Sequence, residues 1–133
     1  MNSNKKIGNE FETEFCERLS KEGFWCHNMT QNASGQPADV IAVKNQLAYL
    51  IDCKVCTRDA FSLSRIEENQ IFSMETWDEC GNGVGWFAIR FSGGIYMIGL
   101  PSLQNFSYSK SVLREDDAKR IGIELESWLR DDD

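Results

Sequence analysis

The chain has 133 residues, of which 41% are hydrophobic and 26% charged, and its formal net charge is −7. A chain of this length can bury a core without disulfides, so we expect one compact domain over residues 1–133. The acidic balance argues against a protein whose whole surface binds a polyanion. It leaves room only for a local basic site or a cation-bridged one.

No apolar run reaches the roughly 18 residues that a membrane span needs. The polar first residues, "MNSNKK", also lack the apolar core of a signal peptide. We therefore expect a soluble, cytoplasmic protein without a membrane segment. The five cysteines are an odd number, which favours reduced thiols over a disulfide framework.

An amphipathic helix begins the predicted fold. Its buried stripe is indicated by apolar residues at every fourth position: Ile7, Phe11, Phe15 and Leu19. Gly23 predicts the end of this helix. A short strand is expected within 24–30, and the turn-forming residues of 31–37 predict a surface loop.

Two β-like runs follow, 39–43 and 47–55, and the polar residues between them predict a hairpin. A capping box of Ser64 with Glu67 then predicts a second helix that runs to Gly81.

Beyond this helix the predicted elements are a second hairpin and a terminal helix. The hairpin joins 84–91 to 95–100 through a Ser-Gly-Gly turn. The terminal helix is indicated by helical spacing of apolar residues: Ala118, Ile121, Leu125, Trp128 and Leu129. The predicted order is therefore helix, hairpin, helix, hairpin, helix.

The first hairpin raises a question of charge. A two-residue turn at Asn45-Gln46 would place Asp39 directly opposite Asp52, with Lys54 on the same face of the sheet. Facing carboxylates are destabilising, so this arrangement requires a compensating cation, a shared proton or a different register. Mg²⁺ is the natural compensation, because it binds a few carboxylates together with water and phosphate oxygens. His27 is the only histidine, so several histidines cannot form a metal site within one chain.

Several segments of the sequence resemble known nucleases. "PAD" followed by "DCK" between two helices resembles the PD-(D/E)XK nuclease superfamily. "KKIGNEFETEFCERLSKEGF" and "ASGQPADVIAV" resemble the opening helix and the serine-containing loop of archaeal-type Holliday junction resolvases. "DAFSLSRIEENQIFSM" is similar to RecU-type resolvases, in which a glutamine-bearing helix follows the acid-x-lysine strand.

This resemblance implies a restriction-endonuclease-like α/β fold with an αβββαβ core, in which helices flank a mixed central sheet. It implies that Asp39 and Asp52 bind Mg²⁺ or Mn²⁺, and that Glu12 completes the site directly or through water. Lys54 would stabilise developing charge, Gln70 would position the strand or the attacking water, and Ser34 would contact phosphate or metal-bound water. The cations near these residues could hold DNA phosphates: Lys5, Lys6, Arg58 and Arg65.

Two of these residues also have interpretations that rest on the sequence pattern and not on the resemblance. Glu12 lies among Glu10, Glu14 and Glu17, and could belong to a solvated helix face. Gln70 lies on the apolar stripe of the second predicted helix, where a polar group needs a buried partner.

The function that the resemblance favours is Holliday junction resolution by a homodimer. The apolar segment 86–91 or the terminal helix would provide the dimer surface. The alternatives are a repair or restriction-type nuclease acting on duplex ends or single strands, and a catalytically silent nuclease-fold binding module. The acidic net charge departs from the basic character of these resolvases and questions junction specificity more than nuclease chemistry.

Overall fold

A computed structural model of the chain describes residues 3–29 and 38–130, without the side chains of residues 3 and 4. The helices are α1 (Ser3–Lys21), α2 (Glu68–Trp77), α3 (Leu100–Ser107), α4 (Glu115–Ile121) and α5 (Leu125–Arg130). The strands are β1 (Trp25–Asn28), β2 (Val40–Lys44), β3 (Leu47–Val55), β4 (Ala60–Ser62), β5 (Trp86–Phe91), β6 (Gly94–Gly99), β7 (Val112–Arg114) and β8 (Ile123–Glu124). None of the helices in these ranges is long and apolar enough to cross a bilayer.

Six strands form one mixed sheet in the order β1-β2-β3-β5-β6-β8. Only β3 and β5 are parallel neighbours, and α2 lies in the connection between them. β4 and β7 form a separate two-stranded sheet. The succession α1-β1-β2-β3-α2-β5 confirms the predicted αβββαβ core with helices around a mixed sheet.

The first hairpin has the predicted register, since Val40 pairs with Ile51 and Lys44 pairs with Leu47. Its turn residues, Asn45 and Gln46, have φ values of 55° and 69°. Positive φ at both positions is the geometry of a two-residue hairpin turn that matches the twist of the strands, and asparagine tolerates it well. The turn therefore fixes which residues of β2 and β3 share a face.

Helices pack on both faces of the sheet. On the α1 face, side chains of β2, β3 and β5 pack against α1 and α5: Val40, Ala42, Ile51 and Ala88 against Phe11, Phe15, Leu19 and Trp128. On the α2 face, alternate side chains of the strands pack against α2, α3 and α4: Leu50, Phe87, Ile89 and Ile98 with Met74, Leu103, Phe106 and Ala118. β3 is buried from both sides, which explains its nearly continuous apolar sequence.

The stripe of the first helix is buried as predicted, except at Ile7. Phe11, Phe15 and Leu19 are at most 1% exposed, whereas Ile7 is 40% exposed. The prediction at Ile7 was wrong because this side chain lines an open cleft rather than the core. Gly23 follows the helix with φ of 97°, which confirms its role at the helix end.

The capping box of the second helix was predicted at the wrong residues. Glu67 is the N-cap and forms the box with Gln70, so α2 begins at Glu68. Ser64 instead lies in a 3₁₀ turn, where the Leu63 N–H donates to the carbonyl of Ser111 at 3.0 Å. That contact joins distant segments, which explains why local spacing misplaced the helix start.

The predicted continuous terminal helix was also wrong. β8 separates α4 from α5 and pairs with β6. At Gly122, between α4 and β8, a Cβ would lie 2.9 Å from the carbonyl oxygens of Met97 and Ala118. Because Gly122 has no side chain, the backbone at this position can approach β6 closely. The structure also adds α3, β4 and β7, which the sequence pattern did not predict.

Both segments expected to form a dimer surface lie in the core. β5 is an interior strand, and Phe87, Ala88 and Ile89 are 0% exposed. The apolar residues of the terminal helix are buried as well: Leu125, Trp128 and Leu129. The predicted dimer surface was therefore wrong, because the apolar residues of both segments are buried in the core of the chain itself.

Candidate active site

A cleft of about 630 Å³ opens beside the last residues of β3. Its walls come from α1, from the β2–β3 hairpin and from the start of α2. Six residues predicted from the sequence line it: Glu12, Asp39, Asp52, Lys54, Arg65 and Gln70. The fold thus gathers side chains from distant parts of the chain around one cavity.

The two aspartates meet because the hairpin pairs their strands in the predicted register. Asp39 lies directly before β2, and its backbone N–H donates to the carbonyl of Ile51 at 3.1 Å. Its side-chain Oδ2 accepts the N–H of Cys53 at 2.8 Å. Asp39 is 7% exposed and Asp52 is 1% exposed. Two carboxyl groups are therefore held together away from solvent.

Burial and the neighbouring charge of Asp39 favour the protonated forms of Asp52 and Glu12. Burial, followed by the charge of Asp39, raises the pKa of Asp52 to about 8, although Lys54 opposes this rise. Burial and then the charge of Asp39 raise the pKa of Glu12 to about 7, again opposed by Lys54. The cleft therefore favours an added positive charge.

Lys54 and Gln70 hold Asp52 from two sides. The Lys54 Nζ lies 3.0 Å from Asp52 Oδ2, and its side chain is only 14% exposed. The Gln70 Nε2 donates to Asp52 Oδ1 at 3.0 Å. The Gln70 Oε1 accepts the N–H of Glu67 at 3.2 Å, so one side chain caps α2 and fixes the aspartate. The buried partner that the sequence demanded for Gln70 is Asp52.

The donor set suits a cation that needs few protein ligands. Asp52 Oδ2 is buried and accepts no hydrogen bond from the described residues, although Lys54 lies within ion-pair distance. Within 3–29 and 38–130, no three His, Cys, Asp or Glu side chains converge into a complete metal-binding group. Mg²⁺ commonly binds one or two carboxylates and completes its shell with water and substrate phosphate. The pair Asp39 and Asp52 matches that requirement, and Glu12 is suited to a contact through water.

The structure places the predicted DNA-binding cations differently. Arg65 lines the cleft, and its guanidinium donates to the carbonyl of Val55 at 2.9 Å. Arg58 occupies a tight turn with φ of 58° and lines a neighbouring depression instead. Lys5 and Lys6 are exposed on the first turns of α1, outside the cleft lining. Ser34 lies outside the described residues, so its predicted role stays a prediction.

Two further polar residues of the cleft were missed by the sequence analysis as site residues. Thr57 follows β3 and lines the cleft, and Glu67 reaches it from the N-cap of α2. No sequence signal marks a lone threonine after a strand. Glu67 could have been found only by placing the helix start correctly.

Comparison with known proteins identifies relatives of this arrangement. A family model described as archaeal Holliday junction resolvase (hjc) matches residues 3–132. The fold is similar to the 1.6 Å structure of Hjc, a Holliday junction resolvase from the archaeal hyperthermophile Archaeoglobus fulgidus, with a TM-score of 0.70 and 15% sequence identity. The match covers 92% of this chain and 99% of that one. No curated protein matches the chain.

Proposed function

Because the chain belongs to the archaeal Holliday junction resolvase family, we propose that it is a divalent-metal-dependent endonuclease that resolves four-way DNA junctions. The observation that supports this most directly is the buried Asp52, in a cleft that it shares with Asp39, Lys54 and Glu12. Its Oδ2 accepts no hydrogen bond from any residue that the structure describes. We propose one nuclease domain over residues 1–133, acting on DNA in the cytoplasm.

Asp39 and Asp52 are the proposed ligands of Mg²⁺ or Mn²⁺. When bound, the cation supplies positive charge to the scissile phosphate and activates a water molecule for attack. Asp39 is oriented for this role by the backbone N–H of Cys53. Asp52 is oriented by Gln70, which leaves Oδ2 directed toward Lys54.

The remaining side chains of the proposed site bind substrate phosphates, stabilise developing negative charge or accept a proton. The ammonium of Lys54 stabilises the negative charge that develops on the phosphate during attack. Glu12 lies where it can accept a proton from water or hold a second water in place, since its pKa of about 7 is close to neutrality. Arg65 binds a neighbouring phosphate at the mouth of the cleft, and Ser34 is proposed to contact phosphate. Lys5, Lys6 and Arg58 would bind phosphates further away.

A homodimer is part of this proposal. A four-way junction has two-fold symmetry, so two symmetric nicks require two active sites related by a C2 axis. Sedimentation with and without junction DNA measures this directly, and a monomer in both conditions would contradict it.

The enzyme activity is tested with labelled four-way junction, linear duplex and single-stranded DNA, each in Mg²⁺ or Mn²⁺. We expect paired symmetric nicks in the junction only. Asp39→Asn and Lys54→Ala should each lower the rate by at least about 100-fold, because each removes a group from the reacting centre. Asp116→Asn is the matched control, since Asp116 is an exposed carboxylate on α4.

The substrates distinguish the competing functions. Cleavage of duplex ends or single strands in place of the junction would assign a repair or restriction-type nuclease. If no substrate is cut, and the thermal stability of wild type and Asp39→Asn responds identically to Mn²⁺, the chain is a binding module and the proposal fails.

A further inference from the structure

We propose that Trp25 and His27 form an aromatic platform on which a nucleobase of the DNA substrate stacks, close to the proposed cleavage site. This inference rests on the proposed function, because it assigns how the enzyme holds its DNA. The two residues lie on β1, an edge strand of the six-stranded sheet. They take no part in the chemistry proposed for the cleft.

The platform lies on the same sheet face as the acidic pair. His27 pairs with Ile41, and Ile41 pairs with Leu50. Leu50, Asp52 and Lys54 alternate along β3, so their side chains project from one face. Met29, which has the same parity as Trp25 and His27, packs with Leu50 in the α2-face core. The rings of β1 therefore project from the same face of the sheet as Asp52 and Lys54.

Strand geometry gives the distance between platform and cleft. His27 is opposite Ile41 and Trp25 is opposite Val43, respectively two and four residues along β2 from Asp39. At about 3.3 Å per residue, the two rings lie about 7 and 13 Å from Asp39 along the strand direction. Stacked bases are separated by about 3.4 Å, so DNA bound at the cleft would have bases within reach of both rings.

The rings are shaped and exposed for stacking. Trp25 is 62% exposed, and its ring lies nearly parallel to that of His27, with an interplanar angle of 13° and centroids 6.1 Å apart. An indole this exposed contributes little to the core, and an apolar side chain on an edge strand favours aggregation. By contrast, Phe24 and Tyr49 are packed against Trp128. Trp25 is thus exposed on the sheet face from which Asp52 and Lys54 project, whereas these two aromatic residues of the opposite face are packed.

The charge of the protein favours this mode of binding. A net charge of −7 leaves few cations for phosphates, and among the described residues only Lys54 and Arg65 supply positive charge to the cleft lining. Base stacking on aromatic rings does not require positive charge and tolerates any sequence. Bases at a branch point or in a single strand are the partners that fit, because duplex stacking no longer occupies their faces.

The first test measures binding and catalysis separately. With Ca²⁺ replacing Mg²⁺, we expect Trp25→Ala to weaken junction binding by about 5- to 100-fold, and Trp25→Phe to restore most of it. At saturating protein in Mg²⁺, the single-turnover cleavage rate should stay near that of wild type. Leu47→Ala is the control, because Leu47 is 48% exposed on the same hairpin sheet but alternates onto the opposite face. Equal binding by wild type and Trp25→Ala would overturn the platform.

The second test does not depend on cleavage. A four-way junction and an oligothymidylate strand, each containing 5-iododeoxyuridine, are irradiated with the wild-type protein, and crosslinked peptides are identified by mass spectrometry. A crosslink at Trp25 or His27 supports the platform, and crosslinks confined to other residues overturn it. If wild type cuts no DNA but crosslinks at Trp25, the proposed enzyme function fails while the platform stands. If it cuts junctions without such a crosslink, only the platform fails.

Discussion

Among the described carboxyl groups, that of Asp52 shows the largest rise in pKa. Its carboxyl group is 1% exposed, lies beside Asp39 and has a pKa raised to about 8. In the unfolded chain the pKa of an aspartate is close to 3.9. Between these two values the folded protein binds a proton that the unfolded chain releases, so protonation and folding are coupled.

We predict that the metal-free protein loses stability as the pH rises from about 4 to about 8. The stability that protonated Asp52 provides is complete below its unfolded pKa and is lost as the pH passes its folded pKa. The loss should amount to a few kcal/mol, and urea unfolding in EDTA at several pH values measures it. Asp52→Asn should flatten the profile, because a neutral amide has no proton to lose.

Divalent cation should have the opposite pH dependence. A cation competes with the proton for the same oxygens, so its stabilising effect on wild type should grow with pH. If wild type and Asp52→Asn show the same profile in EDTA, the raised pKa of Asp52 has no energetic consequence and this prediction is wrong.

The sequence predicted the acidic pair because a two-residue turn determines register. Asn45-Gln46 fixes the alternation of β2 and β3, and the facing positions follow. Gln70 was identified through the resemblance to RecU-type resolvases, and its place on an apolar stripe indicated independently that it needs a buried partner. Glu12 could not be identified from its sequence pattern, because nothing in the sequence of its helix distinguishes it from Glu10 or Glu14. Only packing of α1 against the hairpin brings this one glutamate into the cleft, and the sequence alone does not specify that packing.

At the scale of secondary-structure elements, local sequence patterns predicted the elements that are formed by interactions between nearby residues. α1 and both hairpins follow from spacing and turn residues. The start of α2, the break between α4 and α5, and the β4–β7 pair depend on contacts between distant segments: Leu63 with Ser111, Gly122 with β6, and Phe61 with Leu113. Such contacts override helix periodicity, and a single sequence does not reveal which segments meet.

Gly122 provides a test of this account. We predict that Gly122→Ala destabilises the fold by about 1–3 kcal/mol, because its Cβ would lie 2.7 Å from Ile98 Cγ1 and 2.9 Å from two carbonyl oxygens. The φ of −121° is open to any residue, so the penalty is purely steric. Chemical denaturation of both proteins gives the difference.

Gly8→Ala is the matched control. Gly8 lies inside α1, and a Cβ there would meet nothing within 4 Å. Alanine should therefore leave stability unchanged or raise it by about 0.5–1 kcal/mol. Equal effects of the two substitutions would mean that close packing of Gly122 on β6 does not separate α4 from α5.

At the scale of the whole molecule, the acidic charge should appear in the salt dependence of DNA binding. Each phosphate neutralised in duplex DNA contributes about −0.9 to the slope of log affinity against log salt. Each chain of the proposed dimer has four cations that are proposed to bind phosphate, Lys5, Lys6, Arg58 and Arg65, so the two chains together would give a slope of about −7 or shallower. Binding titrations in Ca²⁺ over a range of salt concentrations measure this slope.

Single substitutions refine the prediction. Arg65→Ala removes one contact from each chain of the dimer and should reduce the slope by about 2. Lys119→Ala, an exposed change on α4, should leave the slope unaltered. A wild-type slope steeper than about −10 would show that many more cations contact phosphate than the clefts of the two chains and their surroundings provide. The acidic balance would then say little about how this protein binds DNA.

The Asn45-Gln46 turn also has a consequence for the order in which the chain folds. Asp39 and Asp52 are only about a dozen residues apart, and hairpins of this kind form within about 1–10 μs. Glu12 and Gln70 join the pair through contacts that close much longer loops, and such contacts form later. The two acids therefore meet before the groups that orient and neutralise them. We therefore expect divalent ions in the refolding buffer to act on the hairpin before the cleft is complete.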